Sequence, residues 1–124
     1  MLVAIFTIII LQSSNLFAAD WKQVAKNDLG TYYVDFESLK DNNGLIEYSD
    51  LINFFESYND AYSAINKYIV DCKAEKQTWL SSTTHSELMG DGVIISQSKP
   101  DQVIYPKSNT IYYFIIKNVC SYEK

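Results

Sequence analysis

The chain contains no arginine, so all ten of its basic residues are lysines. That absence removes the planar guanidinium forks that grip phosphate and carboxylate in pairs. Against fifteen acids the lysines leave a formal charge of −5 and a pI near 4.7. A nucleic-acid ligand is therefore not expected, because its binders neutralise phosphates with basic patches. Histidine occurs once, at His85, and cysteine twice, at Cys72 and Cys120. Three such ligands cannot complete a four-ligand structural zinc site, and the cysteines lie too far apart for a CxxC redox pair. Serines surround His85, but no GxSxG elbow is present, and His85 reads as a surface histidine at a strand end. Gly90-Asp91-Gly92 lacks the third glycine and the following helix of a nucleotide-binding loop, so it reads as a turn. Asp50 and Asp60 lack calcium-loop spacing. Asp35 and Glu37 would share a strand face if the strand ran through both, yet they read as solvated acids at a hairpin end. No catalytic residue, metal or cofactor is expected.

Long apolar runs are also scarce. The one that stands out, Leu2 to Leu11, is too short for a hydrocarbon core of about 30 Å, which takes roughly 20 residues. It suits the apolar region of a secretory signal, followed by polar Gln12-Ser13-Ser14-Asn15 and then Leu16-Phe17-Ala18-Ala19. Cleavage is expected after Ala18, with Ala19 as the alternative. The exported remainder, residues 19–124, then forms one domain with no stable transmembrane segment. Export places Cys72 and Cys120 in an oxidising compartment, where an even pair reads as a disulfide. Closing the loop from 72 to 120 contributes roughly 4 kcal/mol in the chain-entropy model.

What the remainder has in abundance is tyrosine, ten copies, and a hydrophobic period of two. Tyr32, Val34 and Phe36 alternate on one strand face, and Ile46, Tyr48, Ile52 and Phe54 on the next. Asp41-Asn42-Asn43-Gly44 between them is turn chemistry, so the two runs form a hairpin. Ser63 to Cys72 alternates again, with Ala64, Tyr68, Val70 and Cys72 together and Asn66 interrupting the set. Glu75 to Ser86 suits a strand with one wet face, and Val93 to Gln97 a further short strand. Residues 98–101 read as loop. The last segment is open on pattern alone. Ser108 offers a helix N-cap, and Ile111, Phe114, Ile115 and Val119 form a helical stripe, whereas the β-branched and aromatic content of 111–116 prefers a strand.

Tyrosine and tryptophan bury much area with few rotors, which suits binding interfaces. The segment 54–62 is the densest aromatic and acidic cluster and reads as a loop. Phe54, Phe55, Tyr58, Asp60 and Tyr62 are its candidate partner-binding residues.

Several spaced anchors carry a family resemblance. These are Trp21, Tyr33-Val34-Asp35 with Ser38-Leu39, the strand from Tyr48 to Phe54, Asp71-Cys72, Gly90-Asp91-Gly92, and Tyr105-Pro106-x-Ser108 leading to Val119-Cys120. In order and cysteine placement the chain resembles the bacterial surface-adhesin protein E family. The resemblance implies an α+β fold, an antiparallel sheet of about six strands packed by a C-terminal helix. It places that helix from Ser108 to about Val119 and implies that a disulfide ties its end to the Cys72 strand. It implies an exported, non-enzymatic adhesin-like protein whose partner is a host extracellular-matrix or cell-surface protein. No lipidation cysteine follows the apolar run, so the periplasm or release is as well supported as surface display. The acidic charge adds an alternative, a periplasmic inhibitor or immunity-type protein that neutralises a basic periplasmic partner.

Overall fold

The computed structural model describes residues 19–123, so the expected leader and its cleavage site lie outside the described residues. Eight antiparallel strands form one sheet. They are β1 (Lys22–Lys26), β2 (Gly30–Val34), β3 (Lys40–Asn42), β4 (Leu45–Tyr58), β5 (Ala61–Asp71), β6 (Lys76–His85), β7 (Ile94–Ser98) and β8 (Gln102–Ile104). A single helix, α1 (Ile111–Ser121), follows them. The strand order is β1-β2-β4-β5-β6-β7, with β3 beside β4 and β8 beside β6. The expected α+β architecture is therefore present, with six strands on the main path and two short ones beside it.

The period-two pattern becomes the two faces of this sheet. Ile46, Tyr48, Asp50, Ile52 and Phe54 alternate inward along β4, opposite Val70, Tyr68, Asn66 and Ala64 of β5. Tyr32 and Val34 of β2 face Ile52 and Asp50. Onto this face α1 lays Ile115, Ile116 and Val119, all buried. The disulfide between Cys72 and Cys120 forms as expected, joining the residue after β5 to the helix across a Cα–Cα distance of 5.8 Å. On the opposite face a short 3-10 turn, Leu88–Gly90, covers Leu51 and Ile65. Ser63 Oγ holds that turn by donating to the Glu87 carbonyl at 2.6 Å and accepting from Gly90 N–H at 2.9 Å. Gly30 is required where β2 meets β4, since a Cβ there would overlap the Asn53 carbonyl.

Several expectations are corrected. Phe54 to Tyr62 is the tip of the β4–β5 hairpin, with only Asn59 and Asp60 between the strands. Both adopt left-handed φ values, 48° and 66°, which is the two-residue turn whose twist matches the flanking strands. Ladder pairing lapses after Asn53 and resumes at Tyr58 opposite Ala61, so the tip bends without becoming a loop. The helix starts three residues later than Ser108. Asn109, at φ 73°, breaks helical geometry, and Thr110 Oγ1 takes the capping role by accepting from Tyr113 N–H at 3.3 Å. Within the stripe Phe114 is exposed and Ile116 is buried in its place. The strand containing Asp35 does not reach Glu37. β2 ends at Val34, and Asp35 caps a 3-10 turn, Phe36–Ser38, by accepting from Glu37 N–H at 3.2 Å. The segment 102–104, given no element in the sequence reading, forms β8.

Candidate functional site: an aromatic cleft beside the helix

Antiparallel register places Tyr48 opposite Tyr68 and Tyr68 opposite Trp79, on neighbouring strands. Their rings accordingly stack in a row, with centroids 5.1 and 6.4 Å apart. Tyr112, in the first turn of α1, comes down on this row, 5.5 Å from Tyr68 and edge-on to Tyr32 at 6.1 Å. Such aromatic pairs contribute about 0.5–1.5 kcal/mol each beyond the area they bury.

Beneath the rings lies a connected set of polar groups. Asp50 is fully buried, and no lysine approaches it closely enough for an ion pair among the described residues. Its two oxygens accept from Asn66 Nδ2 at 2.8 Å and from Tyr112 Oη at 3.0 Å. Tyr68 Oη donates in turn to Tyr112 Oη at 2.9 Å. Trp79 Nε1 donates to Asn66 Oδ1 and to the Ser81 carbonyl, and Tyr48 Oη donates to Gln77 Oε1. Burial pushes the Asp50 carboxyl up to about 7, although the bonds from Asn66 and Tyr112 oppose the shift. Burial, reinforced by the nearby Asp50 charge, also raises the hydroxyls of Tyr48, Tyr68 and Tyr112. These bonds tie the first turn of α1 to β4 and β5 through Tyr112.

Beside α1 the same rings open into a cleft of about 250 Å³. Its walls come from five elements: Phe54 and Tyr58 of β4, Tyr68 of β5, Trp79 of β6, Ile104 of β8 and Tyr112 of α1. The amides of Asn66 and Gln77 and the hydroxyls of Ser82 and Thr84 supply the polar lining. Apolar walls with a few placed polar groups are the usual make-up of a ligand site.

The five residues expected to form the partner-binding segment separate across the two faces. Phe54 and Tyr58 line the cleft with rings 6.0 Å apart, Phe54 buried and Tyr58 60% exposed. Phe55 lies outside the cleft, beneath Lys26 Nζ at 5.3 Å from the ring centre. With Tyr58 it borders a second concavity that includes Asp28 and Glu56. Asp60 sits in the turn, and Tyr62 is exposed beyond it. Trp79, Tyr112, Gln77 and Ile104 were not singled out as site residues. The signal for Trp79 was its place in a threonine-rich strand with one wet face, but its ring neighbours depend on cross-strand register. His85 closes β6 as expected, but it is half-buried rather than on the surface, and its Nδ1 is buried without a partner among the described residues. Among the described residues no group of histidines, cysteines and carboxylates is arranged to hold a metal ion, and no helix is long and apolar enough to cross a membrane.

The sequence profile of the family described as surface-adhesin protein E matches residues 21–121. The chain belongs to that family. Its fold is similar to solved structures of Haemophilus influenzae protein E. One crystal form has 19% identity and a TM-score of 0.63, covering 84% of this chain and 89% of that one. The selenomethionine form has 18% identity and a TM-score of 0.66, covering 84% and 88%. Protein E from non-typeable Haemophilus influenzae has 18% identity and a TM-score of 0.63, covering 84% and 77%. No curated protein sequence matches the chain.

Proposed function

We propose that the chain is an exported, non-enzymatic binding protein of adhesin type that contacts host-cell or matrix proteins through its tyrosine-rich surface. The observation that carries this reading is the open aromatic cleft beside α1, whose rings are locked from behind by the Asp50 network. A rigid aromatic surface loses little side-chain freedom when a partner covers it. Family membership supports the same reading. Removal of residues 1–18 or 1–19 would release the domain into the periplasm, onto the cell surface or outside the cell. Its contacts would run from the cleft over Tyr58 to the hairpin tip, with Phe55, Asp60 and Tyr62.

The test is saturable binding of labelled protein to epithelial cells and to immobilised extracellular-matrix proteins. Tyr58→Ala is expected to weaken it several-fold while costing no more than about 1 kcal/mol of stability, since the ring is 60% exposed and its aromatic neighbour is Phe54. Absence of saturable binding to every surface would end the adhesin reading.

The second concavity favours the alternative. Lys26 already lies over the Phe55 ring, but Asp28 and Glu56 beside the exposed Tyr58 suit a further lysine or arginine side chain, from a basic periplasmic partner. An inhibitor of that kind should be recovered with a basic protein from periplasm, and the complex should weaken steeply with added salt. Recovery of no basic partner counts against it.

A further inference from the structure

The cleft has polar lining at its base that carries no charge. Gln77 is only 1% exposed, and its carbonyl oxygen is occupied by Tyr48 Oη. Its amide nitrogen makes no hydrogen bond within the described residues, although the residue lines the cleft. Its N–H groups are therefore open to an acceptor brought into the cleft. Trp79 is held rigid by its two indole hydrogen bonds, and among the described residues its one ring neighbour is Tyr68, so the aromatic row ends at the cleft. Ser82 and Thr84 bring hydroxyls to the same cavity.

These features constrain what would fit. At about 250 Å³ the cleft falls below the roughly 300–1,000 Å³ that holds drug-sized ligands, so it suits a single ring. Among the described residues no charged side chain lines it, and a charged ligand would be desolvated there without a counter-ion. The net charge of −5 further disfavours anions. An apolar side chain would use the rings but leave the Gln77 amide unmatched. A pyranose matches both parts. Its C–H face lies flat on aromatic rings, while the hydroxyls at its edge both accept and donate.

We propose that the cleft binds one neutral sugar ring, a hexose or N-acetylhexosamine at the end of a glycan on the partner's surface. This rests on reading the cleft as the partner-contacting face, and it adds that the partner is recognised through its carbohydrate.

The experiment follows the Trp79 indole N–H and the Gln77 side-chain amide by NMR in isotope-labelled protein while lactose, N-acetylglucosamine or methyl mannoside is added. At least one sugar should shift both resonances saturably. Gln77→Leu and Ser82→Leu should each weaken that sugar about tenfold or more. The second variant keeps the test valid should loss of the Tyr48 bond unfold the first. No shift with any neutral sugar, or shifts produced only by a tyrosine-containing peptide, overturns the proposal. Cell binding measured before and after glycosidase treatment separates the two readings. Binding lost on treatment supports the sugar site, and binding unchanged by treatment overturns it while the adhesin reading stands. Sugar shifts without any cell binding would support the sugar site and remove the adhesin reading.

Discussion

The half of the sheet beneath α1 and the half beyond it are continuous in backbone yet opposite in what covers them. Under the helix, Val34, Ile46, Val70, Ile115, Ile116 and Val119 are all buried, none above 6% exposed. Beyond it, Val93, Ile94, Ile95, Val103, Ile104 and Tyr105 range from 37% to 66% exposed. Ile94 and Val103 lie on the face away from α1, but for Ile104, opposite Gln77 on the helix's own face, the difference is geometric. A helix about 10 Å across spans two or three strands set about 4.8 Å apart, and the main path has six. One helix therefore leaves a bare flank, and the cleft lies at the boundary where cover ends. The covered half supplies stability, while the bare half offers surface.

If that division holds, the largest effect comes from releasing the cover. Replacing Cys72 and Cys120 together with serine should remove roughly 4 kcal/mol of folding stability, as measured by denaturant unfolding. Amide exchange should accelerate first in α1 and in the β5 end to which it is tied, before β7 and β8 change. A loss below about 1 kcal/mol would mean that Ile115, Ile116 and Val119 hold the helix without the cross-link.

The second effect tests the polar set under the helix. The Asp50 pKa is raised from 3.8 to about 7 in the folded protein, so the folded state holds a proton that the unfolded chain releases. Stability from this group is full below pH 4 and is lost as pH rises to about 7. Asp50→Asn removes the titration. Its stability relative to the parent should therefore climb between pH 4 and pH 8, by roughly 4 kcal/mol at about 1.4 kcal/mol per pKa unit. Comparing the two proteins at each pH cancels the other carboxylates. A difference that stays flat with pH would mean that Asp50 is charged throughout, stabilised by Asn66 and Tyr112.

Much of the covered half was legible in the sequence, because alternation reports which side chains share a face. Ile46, Tyr48, Ile52 and Phe54 were read correctly from spacing alone. Asp50 and Asn66 occupy the same alternation but are polar, and hydropathy passes over polar residues. Their mutual bond, made possible by direct opposition in the ladder, and the bonds from Tyr112 and Trp79 make them core residues. The helix conflicted with local propensity, since Ile111 to Ile116 prefers a strand, and tertiary packing decided against it. The turn at Asn59-Asp60 was obscured by the aromatics around it. The cleft itself was not legible, because its walls come from five elements and it exists only once register and helix placement are set. The bare flank was equally hidden, since Val93 to Ile95 and Val103 to Tyr105 read as apolar whether or not anything covers them.

The smallest effect sharpens the contrast most directly, because one substitution can be made on both sides of the boundary. Val70 of β5 is fully buried under the helix, and Val103 of β8, opposite Thr78 and so on the outer strand's face away from α1, is 52% exposed. Valine and threonine are both β-branched and nearly equal in shape, so strand propensity changes little at either site. Val70→Thr places a hydroxyl among the apolar side chains of the core, with only Gln77 across the ladder to meet it, and it should cost about 1–3 kcal/mol. Val103→Thr exposes its hydroxyl to water and should fall within about 0.5 kcal/mol of the parent. Equal costs at the two positions, read from unfolding midpoints at constant slope, would show that the outer flank is covered in solution. The bare half of the sheet would then be an interface already occupied rather than a surface awaiting a partner.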